Sequence, residues 1–326
     1  MRGHPGVGKS ALASVLAKEL GLDLIDIRLA QRDPADLVGV YFPTEDRARL
    51  IQVPPDWALE ARDKPCLVFL DEINAAVTRL HQAAAYQIVL ERRVGSVKFH
   101  PGTRVLAAGN LEEDNAIVST LSSALCNRFA HFVLKVDADA WQDWAVLEGV
   151  HPDILAFIGA NREEALYKNT GDVAFPSPRS WAMASRVYAL GDEYNRKRLV
   201  AACVGVEFAE KLTDYVRILH TVNAKKIVLN GERVDFLAPG KRDPSFVYAA
   251  VFAVATWIYK ESVVPDTALP NVVTFLRSPG LDPEYQFLFL RYLRARDPRV
   301  LVRMRALPSY RALATDLVAL RTEGTW

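Results

Sequence analysis

Along the first 136 residues short apolar runs alternate with segments of helical periodicity. Leu22 to Leu29 (LDLIDIRL) alternates apolar and polar positions and predicts a strand. Cys66 to Leu70 (CLVFL) is an unbroken apolar run, the pattern of a strand covered on both faces. Val105 to Ala108 and His131 to Val136 predict two more strands. Between them, Ser10 to Leu20 and Ala75 to Glu91 carry helical spacing. In the first helix Leu12, Val15, Leu16 and Leu20 line one stripe, and Gly21 is placed to end it. This alternation predicts βαβ units around a parallel sheet. After Val136 strand-like runs become scarce, and Trp141 to Val150, Ser180 to Gly191 and Leu199 to Leu219 predict helices. A Pro-rich break, FPSPRS at 175–180, separates two of them, and polar sequence with Gly231 and Gly240 follows His220. The expected organisation is an α/β core over 1–136, a helical segment over 137–220 and a mostly helical C-terminal region over 221–326.

Composition narrows the classes without naming one. Of 326 residues, 50% are apolar and 24% charged, which excludes a disordered tail, a collagen-like fibre and a disulfide miniprotein. Forty basic against thirty-nine acidic residues leave a formal charge of +1, which argues neither for nucleic acid nor for an anionic membrane. Cys66, Cys126 and Cys203 have no metal-ligand spacing and suit reduced thiols. The apolar run Phe246 to Tyr259 has 14 residues, short of the roughly 20 that span a bilayer, and predicts a buried helix. With a charged, Gly-rich start in place of a signal sequence, the expectation is a cytoplasmic protein without membrane insertion.

Chemistry enters at Gly3 to Ser10, GHPGVGKS, a full match to G-x-x-x-x-G-K-[ST]. Glycines let backbone N–H groups wrap phosphates, Lys9 reaches the outer phosphates, and Ser10 offers a hydroxyl to Mg²⁺. Asp71 lies sixty-two residues after Lys9, at the end of the buried strand in CLVFLDEIN. A carboxylate at the C-terminal edge of a parallel strand stands where such sheets bind ligands. Asp71 would hold Mg²⁺ and Glu72 would polarise the attacking water. Alone, the acidic pair would be a helix cap; with the Gly-rich loop upstream it is a hydrolytic pair. Asn110 closes VLAAGN beside Asp71 if the two strands are neighbours, Arg128 sits in LSSALCNRF, and Arg179 in SPRS at a helix entrance.

In this order these elements resemble the AAA+ ATPases, and the MoxR-like group most closely. The resemblance runs through QRDPADLVG (31–39), ERRVGSVKFHPGTRVLAAGNLEEDNA (91–116) and FPSPRSW (175–181), and fades beyond 220. It implies a P-loop parallel sheet with a helical lid, with ATP and Mg²⁺ as ligands. Gly3, Pro5, Gly6, Val7, Gly8, Lys9, Ser10 and Ala11 would cradle the nucleotide, with Ser10 and Asp71 holding the metal. Glu72 would be the catalytic carboxylate, Asn110 the first sensor, Arg128 the arginine finger and Arg179 the second sensor. It further implies a homo-oligomeric ring, usually a hexamer, that remodels a protein partner, often one with a von Willebrand A-type domain.

One departure stands out. Only Met1 and Arg2 precede Gly3, so the strand that should feed the loop is missing. The expectations are an upstream segment in the physiological chain, four parallel strands with a gap or a substitute in the fifth place, a mobile or displaced loop, and poor nucleotide affinity. No N-K-x-D guanine signature is present, which favours ATP over GTP. The rival readings are a nucleotide-gated scaffold or truncated fragment with weak hydrolysis, and a nucleic-acid motor. The last rests on seven arginines between Arg291 and Arg311; interleaved Leu and Val favour an amphipathic helix there instead.

Overall fold

A computed structural model describes residues 1–75, 78–111, 123–190, 192–261 and 264–322. It divides into two compact units, Met1–Lys135 and Val136–Trp326.

The first unit runs α1 (Lys9–Glu19), β1 (Asp23–Arg28), α2 (Pro34–Val38), β2 (Val40–Pro43), β3 (Leu50–Val53), α3 (Asp56–Asp63) and β4 (Cys66–Asp71). After these come α4 (Arg79–Tyr86), a π-helical turn (Gln87–Glu91), β5 (Arg93–Val94), β6 (Val97–Lys98), β7 (Arg104–Ala107) and α5 (Ser123–Cys126). The central sheet has the order β1-β4-β7, with both pairings parallel. All six residues of β4 are buried, as its continuous apolar run requires. Leu70 pairs with Ala107, which brings the ends of β4 and β7 side by side.

In this unit three expectations need correction, and one feature is added. Among the described residues the sheet has three parallel strands rather than four, and His131–Val136 is not a strand. It joins the sheet through one bridge, Val133 to Arg2, while Arg2 also bridges Gly109 on its other side. The fifth place is filled by Met1–Gly3. Gly109 N donates to Met1 O at 3.1 Å and Gly3 N to Gly109 O at 3.3 Å; Arg2 N donates to Phe132 O at 2.8 Å and Leu134 N to Arg2 O at 2.7 Å. Three residues give one rung on each side, enough to satisfy the backbone beside the loop but too short for a ladder. The stripe on α1 is also different. Ala13 and Ala17 are buried, whereas Val15, Leu16 and Leu20 are exposed. The small alanines let α1 approach Phe69 and Ala108 on the sheet closely, a face that large side chains would hold away. Finally, two antiparallel hairpins, β2–β3 and β5–β6, went unforeseen. The strands of the first are almost wholly exposed on both faces, so they lack the alternation that marks a half-buried strand.

The second unit is helical: α6 (Ala138–Leu147), α7 (Pro152–Leu166), α8 (Pro178–Tyr188), α9 (Glu193–Val204), α10 (Val206–Thr221), α11 (Ala224–Asn230) and α12 (Pro244–Lys260). It ends with α13 (Leu269–Leu276), α14 (Pro283–Arg296), α15 (Pro298–Met304) and α16 (Pro308–Thr322). The long helix expected over Leu199 to Leu219 is two helices, broken at Gly205 with φ 87°. The apolar run forms α12, which packs against α7, α10, α11 and α14 in one core extending from Ala138 to Leu317. Among the described residues no helix is long and apolar enough to cross a membrane. Three of the seven C-terminal arginines meet carboxylates: Arg303 pairs with Asp266, Arg299 with Asp297 and Arg291 with Asp143.

A half-buried polar group links α7 to α8. His151 caps α7 by accepting from Asp153 N at 3.3 Å, its ring lies 4.5 Å from that of Tyr188, and Tyr188 donates to Asp153 Oδ2 at 2.7 Å. Burial pushes the His151 imidazole below its ordinary 6.5; Asp153 opposes this, while Lys260, Arg196 and Arg296 reinforce it. The unfolded chain therefore takes up this proton before the folded one does. Stability present above pH 6.5 is lost as the pH falls below it toward the depressed folded value. In urea titrations from pH 7.5 to 5, His151→Asn, which keeps the cap, is expected to lose less stability on acidification than the wild type. Parallel curves for the two would exclude this contribution.

Candidate nucleotide site

The site forms where β4, β7 and the loop before α1 end together. Gly8, in the left-handed region at φ 101°, turns the chain into α1, so the helix opens with Lys9 and Ser10. A helix N-terminus of this kind, with its local dipole, suits an anion. Lys9 Nζ donates to Gly3 O at 2.7 Å, to His4 O at 2.9 Å and to Asn110 Oδ1 at 2.7 Å. The ammonium thereby ties the loop to the chain after β7. Gly3 is buried, Pro5, Gly6 and Val7 are half-buried, and Ala11 is exposed.

Asp71 is 7% exposed and must be satisfied from within. Ser10 Oγ donates to its Oδ2 at 2.7 Å, and Glu72 N donates to its Oδ1 at 2.9 Å. Glu72 is half-buried and has φ 55°. For a residue with a Cβ that conformation costs about 1–3 kcal/mol, and such strain gathers at functional sites. The sharp turn it creates ends β4 and starts the 3₁₀ turn Ile73–Ala75.

The Ser10 hydroxyl and Asp71 carboxylate are adjacent hard oxygens, a donor pair that fits Mg²⁺. Among the described residues no three His, Cys, Asp or Glu side chains gather to hold a metal. The two oxygens would be the protein's share of an ion otherwise held by water and phosphate.

The expected residues thus fall into three sets. Lys9, Ser10, Asp71 and Asn110 are directly hydrogen-bonded within one site, and Glu72 adjoins it through its backbone. Arg128 is exposed, with its guanidinium carbon 4.5 Å from the centre of the Tyr86 ring. Arg179 belongs to the second unit, exposed in the first turn of α8 behind the Ser177–Ser180 capping box. One residue went unnoticed in the sequence. Asn74, 7% exposed, donates through Nδ2 to Asn110 O at 2.7 Å and accepts from Asn110 N at 3.1 Å. Its only sequence signal is an amide following the apolar Ile73, and that signal carries no partner.

Residues 1–135 match the ATPase family associated with various cellular activities (AAA), so the first unit carries a domain of that type. The chain is 28% identical over 165 residues to midasin of Giardia intestinalis, covering 48% of this chain and 3% of that protein. It is 35% identical over 95 residues to an uncharacterized AAA domain-containing protein of Schizosaccharomyces pombe, covering 29% of this chain and 10% of that one. The chain therefore spans a small fraction of the length of these relatives. Among solved structures it is similar to a Thermotoga maritima RuvB mutant, with a TM-score of 0.37 and 15% identity over 73% of this chain and 71% of that one. C. elegans PCH-2 gives a TM-score of 0.32 and 19% identity over 66% and 61%.

Lys9 bonds the loop to Asn110 without any ligand, so it contributes to the fold of the site itself. Lys9→Met is expected to destabilise the nucleotide-free chain by about 1–3 kcal/mol, because three acceptors lose a charged donor. Urea unfolding monitored on the first unit measures this. An unchanged midpoint would mean that water replaces the ammonium at no cost.

Proposed function

We propose that the chain is a Mg²⁺-dependent ATPase of the MoxR-like AAA+ branch that couples ATP hydrolysis to remodelling of a protein partner. The observation that carries this reading is the hydrogen-bonded convergence of Lys9, Ser10, Asp71 and Asn110 beside the strained Glu72.

Phosphoryl transfer asks a protein for position and charge rather than covalent chemistry. In this reading the loop from Gly3 to Ala11 wraps the phosphates with N–H groups, and Lys9 meets the β- and γ-phosphates. Ser10 and Asp71 hold the ion, which when bound neutralises charge on the phosphate oxygens. Glu72 accepts the proton of the water that attacks the γ-phosphorus, as the bond to the bridging oxygen of ADP breaks. Lys9 holds Asn110 Oδ1 in the free chain. Engagement of Lys9 by phosphate would release that amide to orient the water or the γ-phosphate. Arg128, exposed in the first unit, would serve a neighbouring subunit in a homo-oligomeric ring, a hexamer in this branch, and Arg179 would read the nucleotide from a lid over 137–220. The partner, held by variable surfaces including the region 221–326, would be of the von Willebrand A class.

A nucleotide-gated scaffold with weak hydrolysis is the second reading. It is favoured by Lys9 already engaging the chain's own carbonyls, which a nucleotide must displace.

Turnover separates the two. With Mg²⁺ and ATP the wild type is expected to hydrolyse, and Glu72→Gln to lose about 10²–10⁴-fold in kcat while still binding nucleotide. Full activity in Glu72→Gln would refute the catalytic assignment; nucleotide binding by a wild type that does not hydrolyse would favour the scaffold.

Assembly has its own test. Glu72→Gln and Arg128→Ala are each expected to be inactive alone and to recover part of the activity when co-assembled, since some interfaces then pair an intact Glu72 with an intact Arg128. Verified mixed assemblies that remain dead would argue against an arginine acting between subunits.

A further inference from the structure

The turn after β4 and the chain after β7 are joined by main-chain bonds and by one buried side chain, Asn74. The main-chain pairing of the two strands continues past Leu70 and Ala107: Ala108 N donates to Leu70 O and Ile73 N to Ala108 O, both at 2.9 Å. Asn74 then adds a last rung made by its carboxamide, at 2.7 Å to Asn110 O and 3.1 Å to Asn110 N. The pairing fixes the orientation of the amide, because a flipped carboxamide would set donor against donor and acceptor against acceptor. Glu72 lies between two of these attachments, at Leu70 before it and Ile73 after it.

The glycine before Asn110 belongs to the same device. A Cβ on Gly109 would come 2.7 Å from Asn74 Oδ1 and 2.9 Å from its Cγ, so only a bare backbone lets the carboxamide reach the next residue. Asn74 is thus matched to Gly109 in shape and to Asn110, thirty-six residues away, in hydrogen bonding.

We infer that Asn74 is a positioning residue that clasps the Asn110 main chain and makes the Glu72 turn and the Asn110 amide one rigid unit. This rests on the ATPase reading for its consequence. With the Asn110 backbone clasped, its side chain exchanges Lys9 for phosphate by rotating about its own bonds, and Glu72 keeps its place while that happens. Loss of the clasp lets the two groups drift apart, and a misplacement of about 1 Å costs on the order of 10²-fold in rate.

The test compares Asn74→Ala and Gly109→Ala, which open the clasp from opposite sides, with the core control Ile88→Val in the same unit. In the nucleotide-free full-length chain, hydrogen exchange at the Asn110 amide is expected to speed up about 10-fold or more in both clasp variants and to stay slow in the control. In steady state both variants should lose roughly 10²-fold in kcat, with KM for ATP within about 3-fold of wild type. Asn74→Asp keeps the acceptor for Asn110 N but sets an oxygen against Asn110 O, and should preserve neither exchange protection nor rate. Wild-type kcat in Asn74→Ala, when Glu72→Gln is dead, overturns the inference alone, as does an Asn110 amide that already exchanges fast in the wild type. So does an equal kcat loss in Ile88→Val. A wild type without turnover overturns the ATPase reading and this inference with it.

Discussion

Asp71 ends a strand whose six residues are all buried, and its carboxylate is itself almost wholly out of water. A carboxylate in that position must find donors or give up its charge. It finds them in the Ser10 hydroxyl and the Glu72 amide, and both solutions have consequences. The first fastens the start of α1 to the end of β4, which places the loop over the sheet edge. The second holds Glu72 in a left-handed turn, pointing the chain back toward β7. The site grows out of satisfying one buried charge.

Lys9 completes the arrangement from the other side. Its ammonium bonds two loop carbonyls and Asn110, so the loop, helix α1 and the chain after β7 share one cation. The sheet beyond β7 depends on equally local means. Met1–Gly3 contribute one rung to Gly109 and one to the 132–134 segment, satisfying the backbone next to the loop. Around this core α1 approaches the sheet through Ala13 and Ala17, leaving its larger apolar residues outside.

The second unit follows different physics. Its core forms around α12, whose apolar residues face helices on several sides, and polar groups appear mainly as caps and surface pairs. Of the seven arginines that could have suggested a nucleic-acid surface, Arg291, Arg299 and Arg303 pair with Asp143, Asp297 and Asp266. His151 is the exception, a half-buried titratable cap against Tyr188, where protonation opposes folding.

The pattern of residues alone determined the buried strands, the parallel order they imply, the phosphate loop and the acidic pair at the end of CLVFLDE. These were legible because burial on both faces demands an unbroken apolar run, and because phosphate needs glycines, a lysine and a hydroxyl at fixed spacing. The exposed hairpin β2–β3 was not, since an element that buries neither face leaves no periodic mark. Nor was the buried face of α1: helical spacing offered a leucine stripe and an alanine pair, and only the nearness of Phe69 and Ala108 decided for alanine. Asn74 shows the limit most plainly. Its type says that it will seek partners if buried, but its partner lies thirty-six residues away, across a glycine that had to be bare. Periodicity records which side of an element faces away from water; which two residues meet there is a matter of distance, and the folded chain alone sets distances.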